Sequence, residues 1–501
     1  MVLSQAFKIF TLGTCRSVFL CALVSGIIFI AGCGSSDNQT PGKSTTVTLM
    51  ASSSANDQLF DYGIAVNYLT LIGQSGNTVN LLTTPLIIEF MHLNGTEEPL
   101  ATVTIPDGVY TSASASLGGT GFSCATIGSN GSDEIHYFGD LDSVSASNVT
   151  VMLPKPVQIT GMGMVLTLNL LVSQSESITS CNDNVFSITP TFSVSVTPLS
   201  VSPTNSKNGK LVGMEGVVAS SNSATDSITV ASADGSNYGE GNPMGAIDPA
   251  NGPLWQITYN SGTKFQGITG ASQLAAGLAV DMDTAIQSDG SLLATRIAVY
   301  DTNPTNTSLW VVPALFEDNF LGTEMLIGAK EEIGPVLGGN GAAIDFANSQ
   351  FQISQQMSNL ASLPFQPSFT AANMVAGQNI APTFHAPNYG NNILGPSPST
   401  ITLLPQTING TVSVISSEGG FTTYTTTLAP YDLFPALAVQ PNQTTLLTNP
   451  STLVVYADSN TRMLNTNQIA VGSVVRFYGL VFNDNGTLRM DCAQVNDGVT
   501  L

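Results

Sequence analysis

Chemistry needs side chains that can bind metals, move protons or attack carbon, and this chain carries few of them in useful company. Its three histidines, His92, His136 and His385, stand in three separate contexts. A zinc site needs several His, Cys or carboxylate ligands converging at about 2 Å, and no HxH, HExxH or CxxC spacing occurs. His136 is the best placed, with Asp133 and Glu134 close by in Ser132-Asp133-Glu134-Ile135-His136-Tyr137, although a solvated loop histidine is the expectation there. Nucleophilic catalysis requires an activated Ser, Cys or Thr, and there is no GxSxG elbow. Asp281-Met282-Asp283, Asp289-Gly290 and Asn483-Asp484-Asn485-Gly486 could lend oxygens to calcium. None has the twelve-residue spacing with a closing Glu, and hairpin turns account for the same residues. Phosphate loops are missing, since Gly334-Pro335-Val336-Leu337-Gly338-Gly339 lacks the lysine. Of the two tryptophans, Trp255 falls on an apparent core strand, so packing is expected there rather than sugar stacking; the other is Trp310. No catalytic, cofactor-binding or metal-ligating residue is therefore assigned.

Such sparse chemistry matches the composition. The 501 residues include 12 Lys+Arg against 34 Asp+Glu, and charged residues make up only 9%, where a globular chain averages about 25%. Ser, Thr, Asn and Gly carry the polarity, so the surface is one of hydroxyls and amides. A net charge of −22 without a basic cluster excludes nucleic acid as a partner. With 43% hydrophobic residues in short scattered runs, the chain is neither disordered nor a multi-span membrane protein.

The N-terminus has its own pattern. Lys8 and Arg16 form a basic region, residues 18–31 are uncharged and apolar, and Ile30-Ala31-Gly32-Cys33 follows at once. The apolar run is shorter than the roughly 20 residues a membrane span needs. This arrangement resembles the lipobox of bacterial lipoproteins. The resemblance implies that residues 1–32 are a signal peptide, that the Cys33 thiol receives a diacylglycerol, and that lipidated Cys33 becomes the first residue of the mature chain. Residues 33–45 then read as a flexible tether to a lipid bilayer. Gly34 and Ser35, with no Asp after the cysteine, imply the outer membrane of a diderm bacterium, with the leaflet left open. Removing residues 1–32 takes away two basic residues and no acidic ones, so the mature chain is still more acidic.

Cys15 and Cys21 leave with the signal peptide. In an oxidising compartment the simplest arithmetic pairs Cys124 with Cys181 as a disulfide within one domain and leaves Cys492 as a buried thiol in a terminal strand.

Positioning elements follow from periodicity. Residues 46–200 read as a β-domain in which Val47-Thr48-Leu49-Met50, Leu86-Ile87-Ile88-Glu89-Phe90 and residues 101–105 and 164–171 are strands broken by Asn-Gly and Gly-Gly turns. Leu166, Leu168 and Leu170 alternate with Thr167 and Asn169, the period of a sheet with one wet face. In Ile105-Pro106-Asp107-Gly108-Val109-Tyr110, Pro106 fixes φ and Gly108 permits a tight turn. Tyr110 then enters a strand with its ring buried and its hydroxyl near the edge. With its surroundings, PLIIEFMHLNGTEEPLATVTIPDGVYTSASASL, this segment resembles an uncharacterised domain family common in bacterial lipoproteins, which implies a prealbumin-type β-sandwich and no particular chemistry. Asp107 departs from the small residue more usual there.

After a linker at residues 200–210 the chain repeats itself. Gly216-Val217-Val218 then Ser227-Ile228-Thr229-Val230 parallels Gly410-Thr411-Val412 then Phe421-Thr422-Thr423-Tyr424; LWQITYNSGTKF parallels LVVYADSNTRML; and the segments from Gln273 and Gln468 correspond, with offsets of 194, 199 and 195. A fainter middle copy places Gly377 between Gly277 and Gly472, spaced 100 and 95 apart. Each of these glycines precedes a strand where a positive φ or a bulge is needed. Asp289-Gly290 and Asn485-Gly486 suit two-residue type I′ hairpins, whereas the middle copy has a longer loop and residues 302–345 fit the pattern poorly. The order of strands resembles another uncharacterised family of small β-barrel-like domains, and OB-like barrels are written the same way. The expected architecture is all-β, a β-sandwich at 46–200 followed by barrel-like repeats at 211–301, 302–405 and 406–501.

The functional expectation is a non-enzymatic, lipid-anchored cell-envelope protein with a structural or interaction role, its partner an envelope protein or polysaccharide. A carbohydrate- or polymer-binding surface protein is the alternative, favoured by the hydroxyl-rich surface. A secreted hydrolase stands third, because two distant carboxylates can converge.

Overall fold

Strand-forming sequence dominates, and among the described residues the longest helix is the four-residue Val172–Ser175. The computed structural model describes residues 43–497 apart from 55–58, 83, 128–132, 139–146, 162, 179–185, 200–209, 233–252, 301, 303–308, 312–313, 322–323, 330–340, 358–359, 386–396, 430–433, 435–436, 439–446 and 464–468. The fold is all-β, an N-terminal sandwich followed by three barrel-like repeats.

One sandwich sheet runs Phe192–Pro198, Met164–Leu171, Ser44–Ser54, Glu98–Pro106, with the two middle strands parallel. The other centres on Leu59–Gly73 and Gly108–Ile127, flanked by Thr78–Asn80, Leu86–Glu89, Asp133–Phe138 and Ser147–Ile159. Val47, Leu49, Leu166 and Leu168 from the first sheet meet Ile64, Val66, Leu69 and Ala115 from the second in one core. Tyr110 is buried and its hydroxyl donates to Pro106 O at 2.8 Å, so the ring fills the core while its polar tip reaches the turn that precedes it.

Alternation gives the first sheet a second face, which is covered where the sequence implied water. Met50 and Val165, one residue out of phase with Leu49 and Leu166, belong to the core of the first repeat together with Trp255. Thr167 is correspondingly only 8% exposed. Trp255 Nε1 donates to Pro99 O at 2.7 Å, so the indole is a core residue of the repeat that also fastens the sandwich.

In the first repeat, Lys210–Asn222 pairs with Ser227–Ser232 and Ala279–Ile286, and Leu292–Val299 pairs with Ala279–Ile286. Leu254–Thr258 extends Ser227–Ser232 and closes the barrel by parallel pairing to Leu292–Val299; the short Lys264–Gln266 adds alongside. This is the order of an OB barrel. The third repeat reproduces it with Gln406–Glu418, Phe421–Leu428, Thr452–Ala457, Arg462–Met463, Val474–Asp484 and Thr487–Asp497, including the closing parallel pair. The middle one runs Ala314–Leu321, Glu324–Ala329, Gly341–Asp345, Gln350–Ile353, Asn379–His385 and Thr400–Leu403 in the same sheet order, with Leu309–Val311 added to Asn379–His385. Residues 302–345, which match the repeat poorly as sequence, thus supply its first three strands.

The three corresponding glycines share one conformation, with φ of +90° at Gly277, +95° at Gly377 and +90° at Gly472. Gly277 N donates to Val218 O and Gly472 N to Val412 O, at 2.7 and 2.8 Å. Asn485 and Gly486 both take positive φ, as a type I′ hairpin demands. Asp289 does not. Gly290 N reaches Gln287 O and only Gly290 is left-handed, so this loop has three residues and ends in a bulge.

Candidate functional site

The ionisable residues that the fold gathers lie where domains meet. Asp281 and Asp283 are not turn residues. They alternate with Val280 and Met282 on Ala279–Ile286, so the apolar pair enters the barrel and both carboxylates face outward. Outward here means buried, at 5% and 4% exposure. Arg296, on the neighbouring strand, donates from Nη2 to Asp281 Oδ2 at 2.8 Å and from Nε to Asp283 Oδ2 at 3.1 Å. Gln356 of the middle repeat donates Nε2 to both oxygens of Asp281, at 3.2 and 3.3 Å. Glu215, outward on Lys210–Asn222, accepts from the Tyr300 hydroxyl at 2.6 Å, and its other oxygen has no hydrogen-bond partner among the described residues.

Burial governs the proton affinities. It pushes the Glu215 carboxyl up to about 8, helped by the negative Asp281 and opposed by the Tyr300 hydrogen bond. Asp281 also rises through burial, against the pull of Arg296. For Arg296, burial alone would lower the value, but Asp281 and Asp283 carry it above the ordinary guanidinium range. Burial raises Tyr478 of the third repeat, with the charges of Asp283 and Asp281 adding to it. Residues of the sandwich and of all three repeats therefore share one electrostatic neighbourhood.

The sandwich contributes through the loop between Leu86–Glu89 and Glu98–Pro106. Buried Glu89 accepts backbone N–H bonds from Tyr62, Met91 and His92 at 2.7–2.9 Å and binds His92 Nδ1 at 2.9 Å. His92 Nε2 lies 3.4 Å from Glu98 Oε2. This carboxylate-held histidine shapes a loop that plugs into the third repeat. Thr407 donates to Asn94 O, Gln494 donates to Gly95 O, and Arg462 meets Glu97 at 3.4 Å. Beside the loop, Arg476 Nη1 donates to Ser53 O at 3.0 Å. Gly95 has φ of +77°, and a Cβ there would collide with the Thr407 hydroxyl.

His92 is thus a histidine in acidic company that sequence adjacency did not single out. His136 sits in the strand Asp133–Phe138 opposite Cys124 and not in a loop, and His385 ends the strand Asn379–His385. Cys33 and Cys181 lie outside the described residues, as does the side chain of Cys124, and with them the lipidation and the disulfide. Cys492 is a buried thiol whose pKa burial raises, which leaves it protonated and unreactive. Among the described residues no group of three His, Cys, Asp or Glu is arranged to hold a metal ion. An open groove of about 390 Å³ runs between the sheet edges, lined by Lys155, Pro156, Val157, Met164, Val194 and Val196.

Residues 215–298 match the family model of a domain of unknown function, DUF5666. That segment is the first repeat from Glu215 to the penultimate residue of its last strand, Leu292–Val299. A solved structure of a CusF variant with Cu(II) from Escherichia coli is similar to 19% of this chain and 94% of its own, at 19% identity and a TM-score of 0.13. A likeness at that score carries no inference about copper. No curated protein matches the chain.

Proposed function

We propose that this chain is a non-enzymatic, lipid-anchored envelope protein of the outer membrane, whose sandwich and repeats act as one rigid body presenting an interaction surface to an envelope protein or polysaccharide. The observation that carries the reading is the polar junction. The charged side chains suited to chemistry are engaged in two sets, buried Asp281 and Asp283 with Arg296, and buried Glu89 with the largely covered His92, and Gln356 joins one repeat to the next. A scaffold whose ionisable groups fasten its own modules suits display or spacing. Anchoring draws on Ile30-Ala31-Gly32-Cys33. Metabolic labelling with palmitate tests it: label is expected in the wild type and lost in Cys33→Ala, and an unlabelled wild type overturns the anchor. Limited proteolysis tests the rigid body, which should resist cleavage between the repeats at protease levels that cut an unpaired linker.

A further inference from the structure

Two repeats with one topology inside one chain provide their own control. The first strand of each bulges at the same place, between Val218 and Ser220 in the first repeat and between Val412 and Val414 in the third. Beyond the bulge the first strand parts from the fourth long strand and continues as the outer edge of a ribbon of strands one to three, Ser227–Ser232 pairing on with Leu254–Thr258 and Phe421–Leu428 with Thr452–Ala457. In the first repeat three residue pairs follow, ending at Asn222↔Ser227. The third repeat extends to five, ending at Glu418↔Phe421. Composition changes with length. Ser220, Ser221 and Ala276 of the first repeat correspond to Val414, Ile415 and Val471 of the third, which are 49%, 37% and 64% exposed. Three water-facing positions have gained branched apolar side chains, and among the described residues only two other large hydrophobics, Tyr68 and Leu254, are as exposed.

The ribbon also has an open edge. Pairing of Gln406–Glu418 with Val474–Asp484 ends at Thr411↔Val474, so among the described residues 414–418 pair with Phe421–Leu428 alone. Gly419 and Gly420 both have positive φ and close a two-residue hairpin, which makes Glu418 and Phe421 a hydrogen-bonded pair. Alternation then turns the backbone N–H and C=O of Ile415 and Ser417 outward. Exposed edges are normally guarded by Lys, Pro or inward charges. Residues 406–429 contain neither Lys nor Pro, and Glu418 is their one charged residue.

We propose that this ribbon is a dimerisation edge, at which a second copy of this chain adds its own ribbon antiparallel across a two-fold axis through Ser416. With net charge −22 the chains repel one another over most of their surface, and an uncharged patch is where two copies can approach. Centring on Ser416 lets Ile415 and Ser417 exchange both backbone hydrogen bonds with Ser417 and Ile415 of the second copy. It places Glu418 opposite Val414, so the two carboxylates never face each other. The contact is self-complementary, as a two-fold interface requires. It does not depend on the lipid anchor.

Sedimentation velocity of the full chain across the micromolar range is expected to show a dimer. The triple variant Val414→Ser, Ile415→Ser, Val471→Ala, which restores the first repeat's residues at exposed positions, should weaken it by about tenfold or more with the circular dichroism spectrum unchanged. Oxidised Ser416→Cys should cross-link between copies, because residues facing each other across the axis lie about 4.5 Å apart. Ser417→Cys, displaced by two positions from its own mate, should not. A wild type that stays monomeric, a triple variant that dimerises as well as the wild type, or equal cross-linking at 416 and 417 would overturn the proposal.

Discussion

Replacing Glu215 by Gln should remove a penalty that the folded chain carries at neutral and alkaline pH. Glu215 is 5% exposed, keeps one oxygen on the Tyr300 hydroxyl, and lies near Asp281, Glu98 and His92. Its carboxyl ionises near 4.5 when the chain is unfolded and near 8 when folded. Between those values the folded state holds a proton that the unfolded state has released, so stability falls as pH rises through the window and is fully retained below it. At about 1.4 kcal/mol per pH unit, the loss reaches at most about 5 kcal/mol by the upper end. Gln keeps the shape and can still accept from Tyr300, but it has no proton to lose. Thermal unfolding followed by circular dichroism, near pH 5.5 and near pH 8.5, separates the two chains. The wild type should lose melting temperature between the two conditions, and Glu215→Gln should lose clearly less and be the more stable protein at the alkaline one. Parallel pH profiles, or a Gln variant weaker than the wild type at both conditions, would refute the account of a protonated, buried Glu215.

Asp491 is fully buried, has neither oxygen hydrogen-bonded among the described residues, and is raised by burial to about 7. Asp491→Asn should flatten the remaining stability loss between about pH 4 and 7, read in the same melts. Arg296→Met leaves Asp281 and Asp283 buried without their cation and should cost about 3–5 kcal/mol, measured by urea unfolding with tryptophan fluorescence. Gly95→Ala forces a left-handed residue and a clash with Thr407 at the loop that plugs the third repeat. It should destabilise by about 1–3 kcal/mol and raise proteolysis at that loop, with partial relief on adding Thr407→Ala, which removes the colliding hydroxyl. His92→Gln should keep the bond to Glu89 and cost less than His92→Ala, which leaves two buried carboxylates facing a cavity; comparing their melting temperatures decides it.

The strands, the repeat and the turn before Tyr110 could be read from the chain because each rests on local steric rules. A left-handed glycine ahead of a strand recurs at Gly277, Gly377 and Gly472 because the barrel needs that conformation at each place. The junction could not be read in the same way. Asp281 and Asp283 look like turn residues because acidic side chains seldom occupy buried positions. Their alternation with Val280 and Met282 was the available signal, and Arg296 with its matching guanidinium stands one hairpin further on. His136 attracted notice through Asp133 and Glu134 in a stretch that reads as a loop, whereas the backbone there is a strand paired with Gly108–Ile127. The carboxylates that hold His92 come from Glu89, three residues earlier, and Glu98, six later, brought together by a turn whose closure depends on Glu89 itself. Residues 302–345 resisted alignment because the middle repeat keeps the strand order while changing its loops.

Which surfaces remain for partners follows from how the domains are joined. An apolar interface alone lets packed layers slide, whereas hydrogen bonds to fixed carbonyls such as Ser53 O, Asn94 O, Gly95 O and Pro99 O accept one geometry. Each binds a repeat to a particular point of the sandwich, and Met50, shared between the sandwich strand and the first repeat's core, couples their stabilities. The inner surfaces are occupied by these contacts, so the interaction surface proposed above is to be sought where one repeat differs from another while the barrel stays the same. Val414, Ile415 and Val471 mark such a place, since the serines and alanine at the matching positions of the first repeat establish that the fold alone does not require them to be apolar.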